Sequence, residues 1–227
     1  MPRPSPRPRR HPGSPTPRSR PVQERNGDRT RERILRVAIE EFAAKGYSGA
    51  RVEAICRAAH TNPRMLYHYF GDKDGLYVSV LEEVIGELRG EELKIVADHQ
   101  RSAPLEGIMQ LFDFVDRHFG QHPEFIHLLS GENLLRARFL RRSKKAAIVT
   151  SPLIDLIAGL LRRGERQGVI RRGVEPLHLY VMMVALSYFH RSNAHTLSTI
   201  FRTDVQAPTW RANHRSAGAE MLLRYLR

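Results

Sequence analysis

The sequence has only one cysteine, Cys56, among its 227 residues, so no intramolecular disulfide can form. It also has no apolar run of about 18 residues, which excludes a membrane-spanning helix, and the N-terminal stretch has no apolar core of the kind that secretory signals contain. We therefore expect a cytoplasmic protein without a membrane partner. Cys56 lies in an apolar helical stretch, where we expect a small core residue.

Acidic residues are few relative to basic ones, because 24 Asp and Glu face 37 Lys and Arg, and the formal net charge is +13. This excess favours a polyanionic partner, with nucleic acid ahead of a membrane surface or an acidic protein. Residues 1–27 hold eight of the 14 prolines and seven of the arginines. Because proline removes backbone donors and apolar residues are scarce there, we expect residues 1–27 to form a disordered arm.

Strand-like alternation and internal repeats are both absent, whereas apolar residues recur at helical spacing from Arg29 onward. Ile34, Ala38 and Phe42 form one stripe, and Gly46 is placed to end this helix in a left-handed conformation. Prolines mark the starts of the later candidate helices, which cover 104–119, 123–141, 151–167, 176–193 and 208–226. The pattern predicts an all-α fold.

The segment after Gly46 has the pattern of two short helices joined by a tight turn. Val52, Ile55 and Ala59 share one helical face, and the helical pattern then breaks. Asn62 is a good N-cap and Pro63 suits the first position of a third helix. Such a pair behind a longer helix is typical of a helix-turn-helix, whose second helix enters the major groove of DNA.

Five segments of this region carry a family resemblance: RERIL at 31–35, FAAKGY at 42–47, VEAI at 52–55, LYHYF at 66–70 and DKDGL at 72–76. Together they resemble the TetR family of repressors. The resemblance implies a three-helix DNA-binding domain at 28–74 and a helical-bundle domain for effector binding and dimerisation at 75–227. It also implies a sequence-specific transcriptional regulator, usually a repressor, that binds near-palindromic double-stranded DNA as a dimer and is released by a small-molecule effector.

The resemblance further implies roles for individual residues. The exposed start of the third helix supplies base and phosphate contacts, from Asn62, Pro63, Arg64 and Met65. Arg64 is suited to guanine and Met65 to a thymine methyl group. Backbone phosphates are the expected partners of Arg31, Arg51, Tyr67, His68, Tyr69 and Lys73. Core packing is the alternative for Tyr67 and Tyr69, whereas Leu66 and Phe70 are assigned to the core.

Three positions depart from the family pattern. His60 stands in the turn where the family usually has glycine, so we expect a less relaxed backbone there. Arg51 replaces a common Ser or Thr, so the second helix is expected to lose a cap. The order His68 then Tyr69 reverses the frequent family order, which leaves the identity of the phosphate donors open.

The helices after residue 75 contain polar and aromatic groups among apolar ones. The candidates for effector binding are His118, Asn133, Arg136, Tyr180, Met183 and Tyr188. Ordinary buried polar groups and dimer contacts are the alternative for each of them. The family's four-helix dimer contact implies a homodimer through the apolar helices near 151–167 and 176–193.

No metal is expected, because Gly120 and Pro123 are predicted to interrupt the helix that would align His118 with His122. The sequence has no Walker-type loop, nucleophile elbow or dinucleotide fingerprint, so we expect no cofactor, and an enzyme is the last of the hypotheses. The main alternative to the regulator is a non-specific basic nucleic-acid-binding protein without an effector, in which the arm does most of the binding.

Overall fold

The computed structural model describes residues 22–99, 102–143 and 152–227. The helices are, in chain order, α1 Val22–Gly49, α2 Val52–Ala58, α3 Pro63–Phe70, α4 Lys73–His99, α5 Pro104–Gln121, α6 Pro123–Leu134, a short 3₁₀ helix Leu140–Arg142, α7 Pro152–Arg166, α8 Pro176–Ser192, α9 Ala194–Phe201 and α10 Pro208–Leu226. No strand occurs within the described ranges, and the predicted all-α fold is confirmed.

The first helix begins earlier than the sequence pattern indicated. Residues 1–21 of the expected arm lie outside the described residues, whereas Val22–Gly27 belong to α1. This short stretch lacks proline, which explains why it joins the helix although it is polar. Near its other end α1 bends at Gly46, whose φ of 65° and ψ of 174° are readily adopted only by glycine.

The sequence analysis placed the starts of five later helices at prolines, and each of these helices begins at that proline. Pro104, Pro123, Pro152, Pro176 and Pro208 are the first residues of α5, α6, α7, α8 and α10, as predicted. The missing proline N–H is no loss there, because the first N–H groups of a helix have no partner within the helix.

The candidate helix 123–141 is not continuous, and this part of the prediction was wrong. The helix α6 ends at Leu134, and Arg136 and Ala137 both adopt left-handed backbone conformations with φ of 56°. The buried Glu132 carboxylate then accepts hydrogen bonds from the backbone N–H groups of Phe139 at 3.1 Å and Leu140 at 3.0 Å. Residues 135–143, which include the 3₁₀ helix, are called the linking turn below.

The short helix α9 was missed by the sequence analysis. It follows α8 after a single residue, Asn193, whose side-chain amide donates to the Phe189 carbonyl at 3.0 Å. The signal for a break was therefore a polar side chain that binds the last turn of α8, rather than a proline or a glycine.

Two groups of helices enclose the core. In one group α5 packs against α7 and α8, and in the other α1 packs against α4 and α6. A cluster of aromatic rings in edge-to-face and tilted contacts lies where α1, α4 and the linking turn meet, and its members are Phe42, Tyr47, Tyr77 and Phe139. In the described ranges, none of the helices has both the length and the apolar character that crossing a bilayer would require.

Candidate nucleic-acid interface and ligand cavity

The turn between α2 and α3 is tight and locally hydrogen-bonded. His60 adopts a left-handed conformation with φ of 47°, as expected for a residue in a position that favours glycine. The Thr61 N–H donates to the Cys56 carbonyl at 3.0 Å, which closes the end of α2 in the manner of a Schellman motif. Ala59 is fully buried beneath the turn, so α2 and α3 approach each other closely.

The start of α3 is capped as the sequence predicted. The Asn62 side-chain oxygen accepts a hydrogen bond from the Met65 N–H at 3.0 Å, and Pro63 is the first helical residue. Asn62, Pro63 and Arg64 are exposed, and Met65 is half-buried. The first turn of α3 therefore presents one guanidinium and one thioether at a capped helix N-terminus.

The rest of α3 divides between core and surface. Leu66 and Phe70, one helical turn apart, are buried as expected. Tyr67 is 45% exposed and His68 is exposed, so both side chains are accessible to a ligand of this surface. Tyr69 is half-buried and packs against the core, which favours the structural alternative for this residue.

The cationic side chains around α3 differ in how many contacts they make within the chain. Arg51 is exposed at the start of α2 and makes no side-chain cap, so the expected loss of a cap is confirmed. The Arg31 guanidinium lies 5.3 Å from the centre of the Phe70 ring. The sequence analysis did not single out Arg33, whose Nε donates to the Ala59 carbonyl at 2.7 Å and fixes α1 to the turn.

Lys73, the expected phosphate anchor, is engaged within the chain. Its Nζ donates to the Ala50 carbonyl at 2.7 Å and lies 4.8 Å from the centre of the Tyr47 ring. Burial lowers the pKa of this ammonium. Because an ammonium has three donors, a contact with phosphate stays a prediction beside this structural role.

Asp74, at the start of α4, joins α1 to the linking turn. One of its carboxylate oxygens accepts a hydrogen bond from the Tyr47 hydroxyl, and the other accepts one from the Arg142 guanidinium at 2.6 Å. These hydrogen bonds lower the pKa of Asp74, whereas burial and the Asp74 carboxylate raise the pKa of Tyr47 to about 12. Phe139 packs its ring 4.4 Å from the Tyr47 ring and 5.0 Å from the Tyr77 ring.

A cavity of about 720 Å³ lies between α4, α5, α6, α8 and the linking turn. Most of its lining is apolar, and its polar lining residues are Arg89, Asn133, Arg141, Tyr180 and Tyr188. The Tyr188 hydroxyl is fixed by hydrogen bonds to the Ser130 hydroxyl at 2.6 Å and the Ile126 carbonyl at 3.3 Å. A mainly apolar cavity of this size with a few polar groups is the usual form of a small-molecule site.

Three of the six residues that the sequence analysis proposed for effector binding line this cavity. Asn133, Tyr180 and Tyr188 line it. The other three candidates do not: Met183 is buried in the core, Arg136 is exposed on the linking turn, and His118 lies behind the cavity wall, packed against Phe119 and Phe125. The missed residues are Arg89 and Arg141, which carry the positive charge of the lining.

Of the two helices that the sequence analysis proposed for a dimer contact, α8 carries an exposed apolar surface and α7 does not. In α7 the apolar residues are buried within the chain, namely Leu153, Leu156, Ile157, Leu160 and Leu161, so this helix offers little to a second subunit. In α8, by contrast, Leu177, Val181, Ala185 and Phe189 form an exposed stripe at four-residue spacing. Met221 of the adjacent α10 is 62% exposed, which extends the apolar surface.

The structure also overturns the reason given against a metal site. The helix α5 runs through Gly120 to Gln121, and the His122 N–H still donates to the His118 carbonyl at 2.9 Å. The two rings are therefore aligned, with centroids 4.5 Å apart, and Glu91 of α4 lies beside both. Burial lowers the pKa of His118, which favours its neutral form.

The exposed α3 occupies the place of the recognition helix in a helix-turn-helix, and the long α4 leads from it into a helical body with a cavity. Together they define a DNA-binding regulator of the helix-turn-helix class. Residues 34–80 match the family described as bacterial regulatory proteins, tetR family, and residues 104–222 match the tetracyclin repressor-like, C-terminal domain. The chain belongs to the TetR family of transcriptional regulators.

Individual relatives agree with this assignment. The chain is 32% identical to the HTH-type transcriptional repressor NicS of Pseudomonas putida over 91% of this chain and 96% of that protein. It is 29% identical to the HTH-type transcriptional repressor SCO4008 of Streptomyces coelicolor over 72% of this chain and 79% of the relative. Both relatives are transcriptional repressors of the helix-turn-helix type.

Solved structures show the same fold. A transcriptional regulator of Streptomyces coelicolor, SCO4942, superposes with a TM-score of 0.59 at 21% identity, over 87% of this chain and 98% of that one. FadR of Bacillus subtilis, solved in complex with stearoyl-CoA, superposes with a TM-score of 0.58 at 17% identity, over 87% of this chain and all of the other.

Proposed function

We propose that the chain is a homodimeric repressor that reads a near-palindromic operator and leaves DNA when an anionic small molecule enters the cavity. The observation that carries this proposal is the double role of the linking turn. Leu140 and Arg141 line the cavity, while the neighbouring Phe139 and Arg142 contact the end of α1 and the start of α4.

The operator would be read from the first turn of α3. Arg64 is exposed there, and its guanidinium matches the two acceptors of guanine in the major groove. The neighbouring Met65 supplies an apolar contact, and Tyr67 and Arg51 are accessible for phosphates. Base contacts would select the sequence, and phosphate contacts would set the position of the protein on the duplex.

Dimerisation would use α8, one of the two helices expected from the sequence, together with α10 in place of α7. The exposed stripe Leu177, Val181, Ala185 and Phe189 runs along α8, and Met221 lies on its neighbour α10. Two such surfaces related by a two-fold axis form a four-helix contact. A two-fold dimer presents its recognition helices about 34 Å apart, one turn of DNA, and therefore requires a near-palindromic site.

The cavity favours an effector that joins an apolar part to a negative charge. The Arg89 guanidinium is paired with the buried Glu92 carboxylate. Arg141, in contrast, donates to the carbonyl oxygens of Arg136 and Ala137, so its positive charge is not balanced by a carboxylate in the described part of the chain. A carboxylate or phosphate group of the effector would supply that balance.

Release from DNA would follow from movement of the linking turn. An anion that binds Arg141 draws this turn towards the cavity, and the same turn holds Asp74 through Arg142. Because Asp74 also binds Tyr47, displacement of the turn changes how α1 and α4 meet beneath α3. The effector increases the population of chains with a displaced turn only to the extent that it binds this state more tightly than the state with a docked turn.

Selection of bound duplexes from a random DNA library, at near-physiological salt with excess competitor, tests the DNA-binding part of the proposal. We expect enrichment of one inverted repeat by the wild-type chain and loss of that enrichment by Arg64→Ala. The matched control is Arg162→Ala, because Arg162 is an exposed arginine of α7, away from α3. Measurable binding without a shared sequence would instead support the non-specific basic nucleic-acid binder.

A thermal-shift screen of small carboxylates and phosphate esters tests the effector part. We expect hits that stabilise the chain and also release the selected duplex. Arg141→Ala should weaken the binding of these compounds while leaving affinity for the duplex unchanged. Hits that bind Arg141→Ala and the wild-type chain equally would contradict an anionic effector at this position.

A further inference from the structure

Two histidines and a glutamate converge between α4 and α5, at a distance from the recognition helix. The His118 Nδ1 lies 2.8 Å from one carboxylate oxygen of Glu91, and the His122 Nε2 lies 4.0 Å from the other. One nitrogen or oxygen atom from each of the three residues lies within 4.8 Å of the others. We refer to Glu91, His118 and His122 as the Glu–His cluster.

We propose that the Glu–His cluster binds a divalent transition-metal ion such as Zn²⁺. Two imidazole nitrogens and one carboxylate oxygen form a common donor set for such ions, and three protein ligands leave one position for water or another ligand. Around a tetrahedral ion with bonds of about 2.1 Å, the ligand atoms lie about 3.4 Å apart. The distances of 2.8 Å and 4.0 Å bracket this separation, so small side-chain movements complete the site.

The surroundings of His122 match those of a metal-binding histidine. Its Nδ1 lies 2.9 Å from the Glu124 carboxylate, which fixes the proton on this nitrogen and leaves Nε2 free on the side of Glu91. Histidine ligands of metals usually donate their second N–H to such a carboxylate. Glu124 is therefore a positioning residue rather than a ligand.

His118 is suited to alternate between two partners. Its side chain is buried, its Nδ1 faces Glu91, and its Nε2 has no hydrogen-bond partner among the described residues. Because no group in the described part of the chain fixes its tautomer through Nε2, the Nδ1 is able either to donate to Glu91 or to coordinate an ion. Either state keeps the imidazole neutral.

The local charge also favours a cation, although the chain as a whole is strongly basic. Glu87 lies close enough to the carboxylates of Glu83, Glu91 and Glu124 for each of them to act on it electrostatically. Within the described ranges, the ion pairs of Glu91 and Glu124 involve only imidazoles and no lysine or arginine. A bound dication would offset this excess of negative charge.

A metal at this position would fasten α4 to the end of α5. The His118 ring packs 5.9 Å from the Phe119 ring and 5.5 Å from the Phe125 ring, and both of these rings line the cavity. The ion would therefore stiffen one cavity wall. This inference goes beyond the proposed function, because neither DNA reading nor effector release requires a metal.

Isothermal titration of chelator-treated protein, prepared without a histidine tag, tests the site with Zn²⁺ alone. We expect one Zn²⁺ per chain, an increase in Tm on binding, and no comparable response to Mg²⁺, which prefers oxygen ligands. Glu91→Gln and His122→Gln should each weaken Zn²⁺ binding by about 100-fold or more. Glu124→Gln, which removes only the positioning contact, should weaken it about 10- to 100-fold.

The control variant is His127→Gln, because His127 is an exposed histidine of α6 outside the cluster. It should bind Zn²⁺ as the wild-type chain does. Circular dichroism verifies that each variant is folded, and the buried His118 is left unchanged to avoid a folding defect. Absence of a one-to-one Zn²⁺ site in the wild-type chain, or Zn²⁺ affinity in Glu91→Gln and His122→Gln equal to that of the wild-type chain, would overturn the proposal.

Discussion

The α2–α3 segment and the linking turn differ in where their contact partners lie in the sequence. In α2–α3 the Asn62 cap reaches Met65 and the Thr61 N–H reaches the Cys56 carbonyl, so the partners are only a few residues apart. In the linking turn, Arg142 pairs with Asp74, and the Phe139 ring packs against Tyr47. The helix ends of the proposed DNA-reading surface are thus capped locally, with Arg33 of α1 as one distant contact, whereas the linking turn is held mainly by distant helices.

This difference separates two tasks. A locally capped helix keeps its shape when its neighbours move, which suits a surface that must match DNA. A turn whose contacts come from three separate helices changes when any one of them is displaced. The comparison therefore predicts that damage to the turn will spread through the molecule, whereas damage to α3 will remain confined to DNA reading.

Removal of the Phe139 ring should have the largest effect. Phe139 is fully buried, and Phe139→Ala leaves a cavity between α1, α4 and the turn. We expect the free energy of unfolding to fall by about 3–5 kcal/mol, measured by urea denaturation. Leu134→Ala is the control, because Leu134 is 87% exposed and its loss should change this free energy by less than about 0.5 kcal/mol. Similar small effects for both variants would show that the turn is not docked.

Arg64→Ala should leave folding intact and reduce sequence discrimination. We expect the preference for the selected duplex over a single-base-pair variant to fall by about 1–3 kcal/mol, measured by competition binding. Lys73→Ala should instead weaken the selected and random duplexes about equally, and it should also lower stability through the loss of the Ala50 contact. If Arg64→Ala weakened both duplexes equally, the assignment of Arg64 to a base contact would be incorrect.

The buried His190 of α8 should make the body sensitive to acid. Burial, with Arg191 and His214 nearby, lowers its pKa to about 4 from an ordinary value of 6.5, despite the opposing effect of Asp116. Between these values the unfolded chain binds a proton that the folded chain does not, so stability falls as pH decreases. From about pH 7 to about pH 5 the loss should be about 2 kcal/mol.

Urea denaturation at both pH values measures this contribution. His190→Leu should remove most of the difference, because it eliminates the titrating group while retaining an apolar side chain. His195→Leu is the matched control, since His195 is exposed on α9. If His190→Leu retained the full dependence on pH, another group would be responsible.

Substitutions at the N-caps of α2 and α3 should have the smallest effects on the free energy of unfolding. Asn62→Ala removes the cap of α3 and should lower the free energy of unfolding by about 1 kcal/mol. Arg51→Ser should raise it by a smaller amount, because α2 has no side-chain cap. Thermal denaturation compares the two variants, and opposite shifts in Tm are expected. Shifts in the same direction would contradict the contrast between a capped and an uncapped helix.

The sequence-based expectations were accurate where contacts are local in the sequence and wrong where they join distant helices. The Asn62 cap, the positive φ of Gly46 and the proline-started helices were predictable, because each depends on the conformational preference of one residue and its neighbours. The predicted end of α1 at Gly46 is instead a bend, and the helix continues to Gly49. The break after Leu134 was not predictable, because it depends on the buried Glu132 and on Phe139 reaching α1 and α4.

The sites in the body show why the remainder was missed. Arg141 reaches the cavity only because α6 ends early, and a continuous helix through 141 would have placed its side chain elsewhere. The sequence analysis noted that His118 and His122 are four residues apart, but Gly120 between them and Pro123 after them do not break the helix. The third residue, Glu91, comes from another helix, and spacing along the chain carries no information about it.

The consecutive left-handed residues Arg136 and Ala137 have a thermodynamic consequence. A non-glycine residue in this conformation costs about 1–3 kcal/mol, so the turn holds strain that its buried contacts offset. Coupling free energies between two ligand sites are commonly of this same size, about 1–3 kcal/mol, or about 5- to 150-fold in affinity. Ala137→Gly would relieve part of that strain. If the proposed release mechanism holds, this substitution would therefore change how strongly the effector and DNA exclude each other.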